Sequence, residues 1–70
     1  MRIQHFEDTD TLYILFREMG IGETKDLDED TLVEFDGQGN LVSMTIEHAR
    51  DRADIPNFSF QQMPAMRPVA

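Results

Sequence analysis

Cysteine is absent from these 70 residues, so no disulfide can brace the chain. The absence agrees with a reducing compartment, and the cytoplasm is the expected location. Long apolar runs are missing too: no segment approaches the ~18 consecutive apolar residues of a membrane-spanning helix. Met1-Arg2-Ile3-Gln4-His5 lacks the apolar stretch of a secretion signal. Basic residues are scarce. Six stand against fourteen acidic ones, for a formal charge of −8, and all the acids lie before Ile55, while Arg67 is the sole basic residue after it. Such a body cannot displace counterions from DNA, so direct nucleic-acid binding is not expected, nor is binding to anionic membranes. A basic protein partner would be steered in, although acidic surfaces often serve solubility alone.

What is present fits one small domain, since 40% of the residues are hydrophobic. A chain of this length buries only about 60% of the surface its unfolded form exposes. Its core alone seldom supplies more than ~3–5 kcal/mol. With disulfides excluded, the remaining supports are a structural metal or self-association.

Period-two alternation dominates and predicts strands. Arg2–Phe6 reads as a first strand and Thr11–Arg17 as a second, with the polar cluster Glu7-Asp8-Thr9-Asp10 between them. Glu18-Met19-Gly20 breaks the pattern. A polar third strand resumes over Ile21–Leu27, a fourth over Thr31–Phe35 and a fifth over Leu41–Glu47. The short connections predict an antiparallel meander in which sequence neighbours pair. Asp36-Gly37-Gln38-Gly39-Asn40 reads as a hairpin whose two glycines supply positive φ angles. Its Gly-x-Gly pair suits a phosphate cradle only if a helix follows, and a strand follows instead.

Leu12, Ile14, Phe16, Val33, Phe35, Val42, Met44 and Ile46 fall on one face and form the predicted core. Tyr13, Leu15, Leu32 and Leu41 fall on the other, among Glu34, Ser43, Thr45 and Glu47. Residues 47–54 have helical propensity up to Pro56 and predict a short helix that offers mainly Ala49 and Ala53 to the sheet. The expected fold class is therefore mainly β (α+β), a five-strand antiparallel meander over 1–54 with a short C-terminal helix. An irregular tail follows over 55–70. Three prolines argue against regular structure there, yet Phe58, Phe60, Met63 and Met66 form an apolar series that either folds back or awaits a partner.

Asp10-Thr11-Leu12-Tyr13-Ile14, Glu23-Thr24, Val33-Glu34-Phe35-Asp36 and Gly39-Asn40-Leu41-Val42, closing on Ile46 and Ala49, resemble the small bacterial domain of unknown function numbered 2283 over about residues 1–50. The shared positions are apolar strand residues and a hairpin glycine. The resemblance implies a short β-meander with a small terminal helix and carries over no catalytic residue. Some members lie beside genes for small toxin-like nucleases, so it also implies an antitoxin role as one option. His5, Ser43 and Arg50 depart from the pattern, which tends to Tyr, Gly and Ser there.

Individual residues suggest little chemistry. Asp26, Asp28 and Asp30 match the start of an EF-hand loop, but Thr31 stands where glycine is needed and Gly37 where the bidentate glutamate is needed. A solvated turn is the stronger reading. Asp8 and Asp10 lack the contrasting environments that acid–base pairs require, and Asp10 better serves a turn by accepting a backbone hydrogen bond. His5 and His48 come from opposite ends, without further zinc ligands in view; His48 suits a helix cap. Ser43 and His48 belong to no nucleophile elbow. The expectation is accordingly not an enzyme and uses no cofactor or metal. It is a small acidic protein-interaction module, an antitoxin-like subunit with a basic partner in its sharpest form. The alternative is a purely structural homo-oligomer, with a metal-dependent or small-molecule-binding domain behind it. The candidate interaction surface is Tyr13, Leu15, Leu32, Leu41, Phe58 and Phe60.

Overall fold

A computed structural model describes residues 1–65 and shows five strands in one antiparallel sheet. They are β1 (Arg2–Phe6), β2 (Thr11–Leu15), β3 (Glu23–Asp28), β4 (Thr31–Phe35) and β5 (Leu41–Ile46). The alternation and turn chemistry account for all five. The order across the sheet is β1-β2-β5-β4-β3, so β2 pairs with β5 and has no contact in the ladder with β3. A simple meander is thereby replaced by a Greek-key path, in which three hairpin-linked strands are joined by a crossing to a strand beside the last of them. The crossing is residues 16–22. Seven residues reach about 23 Å when extended, comfortably more than the ~14 Å of three strand spacings. The path places apolar β4 and β5 at the centre and strongly charged β3 at an edge.

Backbone contacts hold the crossing against the sheet end. Phe16 N–H and Arg17 N–H both donate to Val42 O, at 2.8 and 3.4 Å, so the regular ladder stops and β2 ends at Leu15, short of the expected Arg17. Gly22 N–H donates to Phe35 O at 2.8 Å. Gly22 passes so close to the β4–β5 hairpin that a Cβ there would lie 2.8 Å from Gly37 Cα and N.

The hairpin itself is organised by Asp36, which is buried. Its Oδ1 accepts the amides of Gln38 and Asn40, both at 2.8 Å, and its Oδ2 accepts Asn40 Nδ2 at 3.0 Å. Gly39 has φ 86°, whereas Gly37 is not in the left-handed region, so one glycine does what two were expected to do.

The short helix expected over 47–54 is absent, and a single 3-10 turn, Ala49–Asp51, stands in its place. Eight residues with two alanines on the apolar side cannot offset helix nucleation. Tertiary bonds capture the backbone instead. Ala49 N–H donates to Asp10 O at 3.0 Å, and Glu47 N–H to Asp30 O at 2.8 Å. His48 sits at φ 54°, and its ring makes no cap bond. Ala49 is fully buried against the sheet end. From Asp54 to Ala65 the chain has no regular element. Met66 of the apolar tail series, with the rest of 66–70, lies outside the described residues.

Candidate functional site

The register assigns the regularly paired strand residues to two faces. One face carries the rows Ile3-Ile14-Met44-Val33-Lys25 and His5-Leu12-Ile46-Thr31-Asp28. The other carries Gln4-Tyr13-Thr45-Leu32-Asp26 and Arg2-Leu15-Ser43-Glu34-Thr24. Of the predicted core, only Val33 and Val42 are fully buried; Leu12, Ile14, Phe16, Phe35, Met44 and Ile46 are half-buried. With no helix to lie across it, the first face is covered mainly near Thr31, Val33 and Ala49. The 49–52 turn is tied there by Arg52, which bonds Thr31 Oγ1 and pairs with Asp28 at 3.2 Å.

The second face presents Tyr13, Leu15 and Leu32 half-exposed. Small Thr45 and Ser43 separate them, and the buried Ser43 hydroxyl donates to Glu34 Oε1 at 2.6 Å. Beside Leu32 and Thr45 lies a shallow depression of about 170 Å³ that also touches Asp26, Glu29, Asp30 and Glu47. This face is therefore an apolar strip with a carboxylate rim.

Three candidate residues, Tyr13, Leu15 and Leu32, are thus placed on one face, whereas a bulge after Glu34 sets Leu41 opposite Phe35, in line with the first face. Phe58 and Phe60 are not with those three either. They line a groove of about 810 Å³ over the first face, together with Met1, Ile3, Leu12 and Ile14 and the segment from Ala53 to Asn57. The lining uses β1, β2 and the tail, and no residue of β3, β4 or β5. Sequence reading missed Met1 and Ile3. Alternation does put Ile3 on the face of Leu12 and Ile14, but only the edge position of β1 leaves it uncovered.

Acid and base groups gather where the β1–β2 and β3–β4 turns meet the end of β5. Asp10 accepts His5 Nε2 at 2.8 Å and the Arg50 amide at 3.1 and 3.3 Å. Its backbone bond thus reaches a residue forty positions away, beyond the local turn expected. The His5 bond is the main cause that holds the Asp10 carboxyl below its ordinary 3.8, followed among the lowering causes by the Arg50 amide. Asp28 is lowered first by the Asp30 amide, and Asp36 first by Asn40. His48 Nδ1 donates to Asp30 Oδ1 at 3.0 Å, which raises the imidazole above its ordinary 6.5.

These bonds use up the groups that motif reading had singled out. Asp28 and Asp30 of the EF-hand-like stretch are committed to Arg52 and His48. His5 and His48 each face their own aspartate, and Ser43 faces Glu34 instead of a histidine. Among the described residues, no three His, Cys, Asp or Glu side chains converge as metal ligands, and no helix is long and apolar enough to cross a membrane.

Fold and site together define a small single-sheet antiparallel β domain with both faces partly open, one of them rimmed by carboxylates. The chain belongs to the family described as "Protein of unknown function (DUF2283)", whose sequence profile matches residues 2–50. No curated protein and no solved structure matches it.

Proposed function

We propose that this protein is an interaction module whose carboxylate-rimmed face, bearing Tyr13, Leu15 and Leu32, receives a basic protein partner. An antitoxin-like subunit that masks a basic toxin-like protein is the sharpest form of that role. The observation that carries the reading is unmet burial: Val33, Val42 and Ala49 are the buried hydrophobic residues among those described. Across the sheet, Leu12, Ile14, Tyr13, Leu15, Leu32, Met44 and Ile46 are only half-buried. An apolar centre with a charged rim is the usual anatomy of a protein contact. Aspartates and glutamates around Leu32 supply the sign that orients a basic partner.

The test is titration of the purified chain with the purified product of the adjacent reading frame. A saturable complex is expected, weakened by salt because the rim is solvent-exposed. Leu15→Ser with Leu32→Ser should weaken it at least roughly tenfold, since a large apolar side chain taken fully from water contributes about 1.5–3 kcal/mol. Unchanged affinity of that double variant overturns the assignment of the face, and the absence of any complex overturns the antitoxin-like form.

A further inference from the structure

We propose that a second copy of this chain docks on the β1 edge, pairing β1 with β1 antiparallel about a two-fold axis at Gln4 and closing the groove beside it. This inference uses a different surface from the face assigned above and stands independently of it.

An open sheet has two edges, each with a row of unpaired backbone donors and acceptors. Here the two differ in kind. The β3 edge carries Glu23, Lys25, Asp26 and Asp28, and its register is broken by a bulge between Asp26 and Asp28. Charge and bulges are the devices that keep edge strands from pairing. The β1 edge has no bulge, and its one permanent charge is Arg2 at the end. Arg2-Ile3-Gln4-His5-Phe6 contains no acid and no proline, and its ladder to β2 runs unbroken through all five residues. Neighbouring β2 also lacks a carboxylate within Thr11–Leu15, and the carboxylates on this side lie in the β1–β2 turn and at Asp54 of the groove rather than in the paired strand.

Exposed apolar residues collect there. Met1 is 79% exposed, Ile3 37%, Phe6 47%, Phe58 67% and Phe60 73%. Scaled by the ~150–250 Å² of an aromatic side chain, the five expose on the order of 600 Å². A stable interface needs about 800 Å² per partner, and these residues flank the β1 edge on both faces, Phe6 on the side of Gln4 and Ile3 on the groove side.

A second copy fits because the strand is complementary to itself. With Gln4 on the axis all five residues pair, and any other register loses pairs at the ends. Arg2 then stands opposite Phe6 of the second copy on one face, a cation-on-ring pairing made twice. Ile3 stands opposite His5 of that copy on the groove side, and Gln4 faces Gln4. No like charges are opposed. The same operation on β3 would set Lys25 against Lys25 when centred there, or Asp26 against Asp26 one residue on.

Sedimentation equilibrium on the full chain reads the outcome directly. The wild type is expected as a dimer. Gln4→Lys and Gln4→Glu each place like charges across the axis and should weaken dimerisation at least roughly tenfold. Mixed one to one, the two variants should regain the dimer, a rescue that misfolding cannot imitate. Thr24→Lys on the β3 edge and the Leu15→Ser, Leu32→Ser double variant should leave it intact. A wild type that stays monomeric at its highest soluble concentration overturns the proposal, as does a Gln4→Lys protein that dimerises normally. If the double variant dissolves the dimer while Gln4→Lys does not, the copies meet through the other face; this inference then fails, and the interaction reading of that face survives.

Discussion

Gly22→Ala isolates the crossing that makes the sheet a Greek key. Gly22 lies outside the left-handed φ region, so alanine meets no dihedral penalty there, and the effect comes from contact alone. The new Cβ would sit 2.8 Å from both Gly37 Cα and Gly37 N, and 3.0 Å from Asp36 C. Carbon atoms rest at about 3.5–4.0 Å, so two backbones must part by roughly 0.7 Å or more. No flexible side chain is present to yield. Parting them stretches the Gly22 N–H to Phe35 O bond from 2.8 Å toward the limit of useful geometry near ~3.2 Å. Losing that bond costs about 1 kcal/mol, and forcing a methyl into packed backbone costs about 1–3 kcal/mol. The stiffer unfolded chain returns ~0.4–1 kcal/mol. A net loss of about 1–3 kcal/mol follows, a large share of the ~3–5 kcal/mol such a core supplies. Each kcal/mol lowers the midpoint of a domain this size by about 4–8 °C. Thermal and urea unfolding by circular dichroism, at one fixed protein concentration, measure it. Gly20→Ala is the matched control, because a Cβ there meets nothing within 4 Å, and it should be neutral or slightly stabilising. Equal shifts in the two variants would refute the close passage of residue 22 over the hairpin.

Four further outcomes are expected. Val42→Ala removes buried apolar volume from the hairpin end of β5 and should destabilise by about 1.5–3 kcal/mol in the same assay. Stability should fall in acid, because Asp10, Asp28 and Asp36 titrate below 3.8 when folded; their contributions are complete above that value and are lost as pH falls through the lowered ones. His48 has the opposite sign: its contribution is present below 6.5 and is lost as pH rises through the raised value, so His48→Ala should remove that alkaline decline in a pH series of melts. Millimolar calcium should leave the melting midpoint where matched ionic strength leaves it. A native-state ligand at a hundredfold excess over its Kd would add about 2.7 kcal/mol, and Asp28 and Asp30 are engaged elsewhere.

Local chemistry was enough to read the strands, because alternation and turn residues act over neighbouring positions. Thr31–Phe35 and Leu41–Ile46 with the Asp36–Asn40 hairpin between them follow directly from that pattern. The apolar strip of Tyr13, Leu15 and Leu32 was legible for the same reason, since period two assigns a face without knowledge of neighbours. Strand order was not legible. The pairing of β2 with β5 is a choice among long-range partners, and residues 16–22 carry no local mark of where they cross. Helical propensity over 47–54 was real but weak, and the Asp10 carbonyl and carboxylate, forty residues away, took the amides of Ala49 and Arg50. That same order put β3 at the second edge in place of the meander's β5, while β1 is an edge in either arrangement. The path of the tail set Phe58 and Phe60 in a groove beside Ile3, on the opposite side from Leu15 and Leu32. Composition and alternation thus determine which residues prefer burial and which face of a strand they share. Only the tertiary path decides which strands lie at the edges, and therefore where the unburied apolar surface is left.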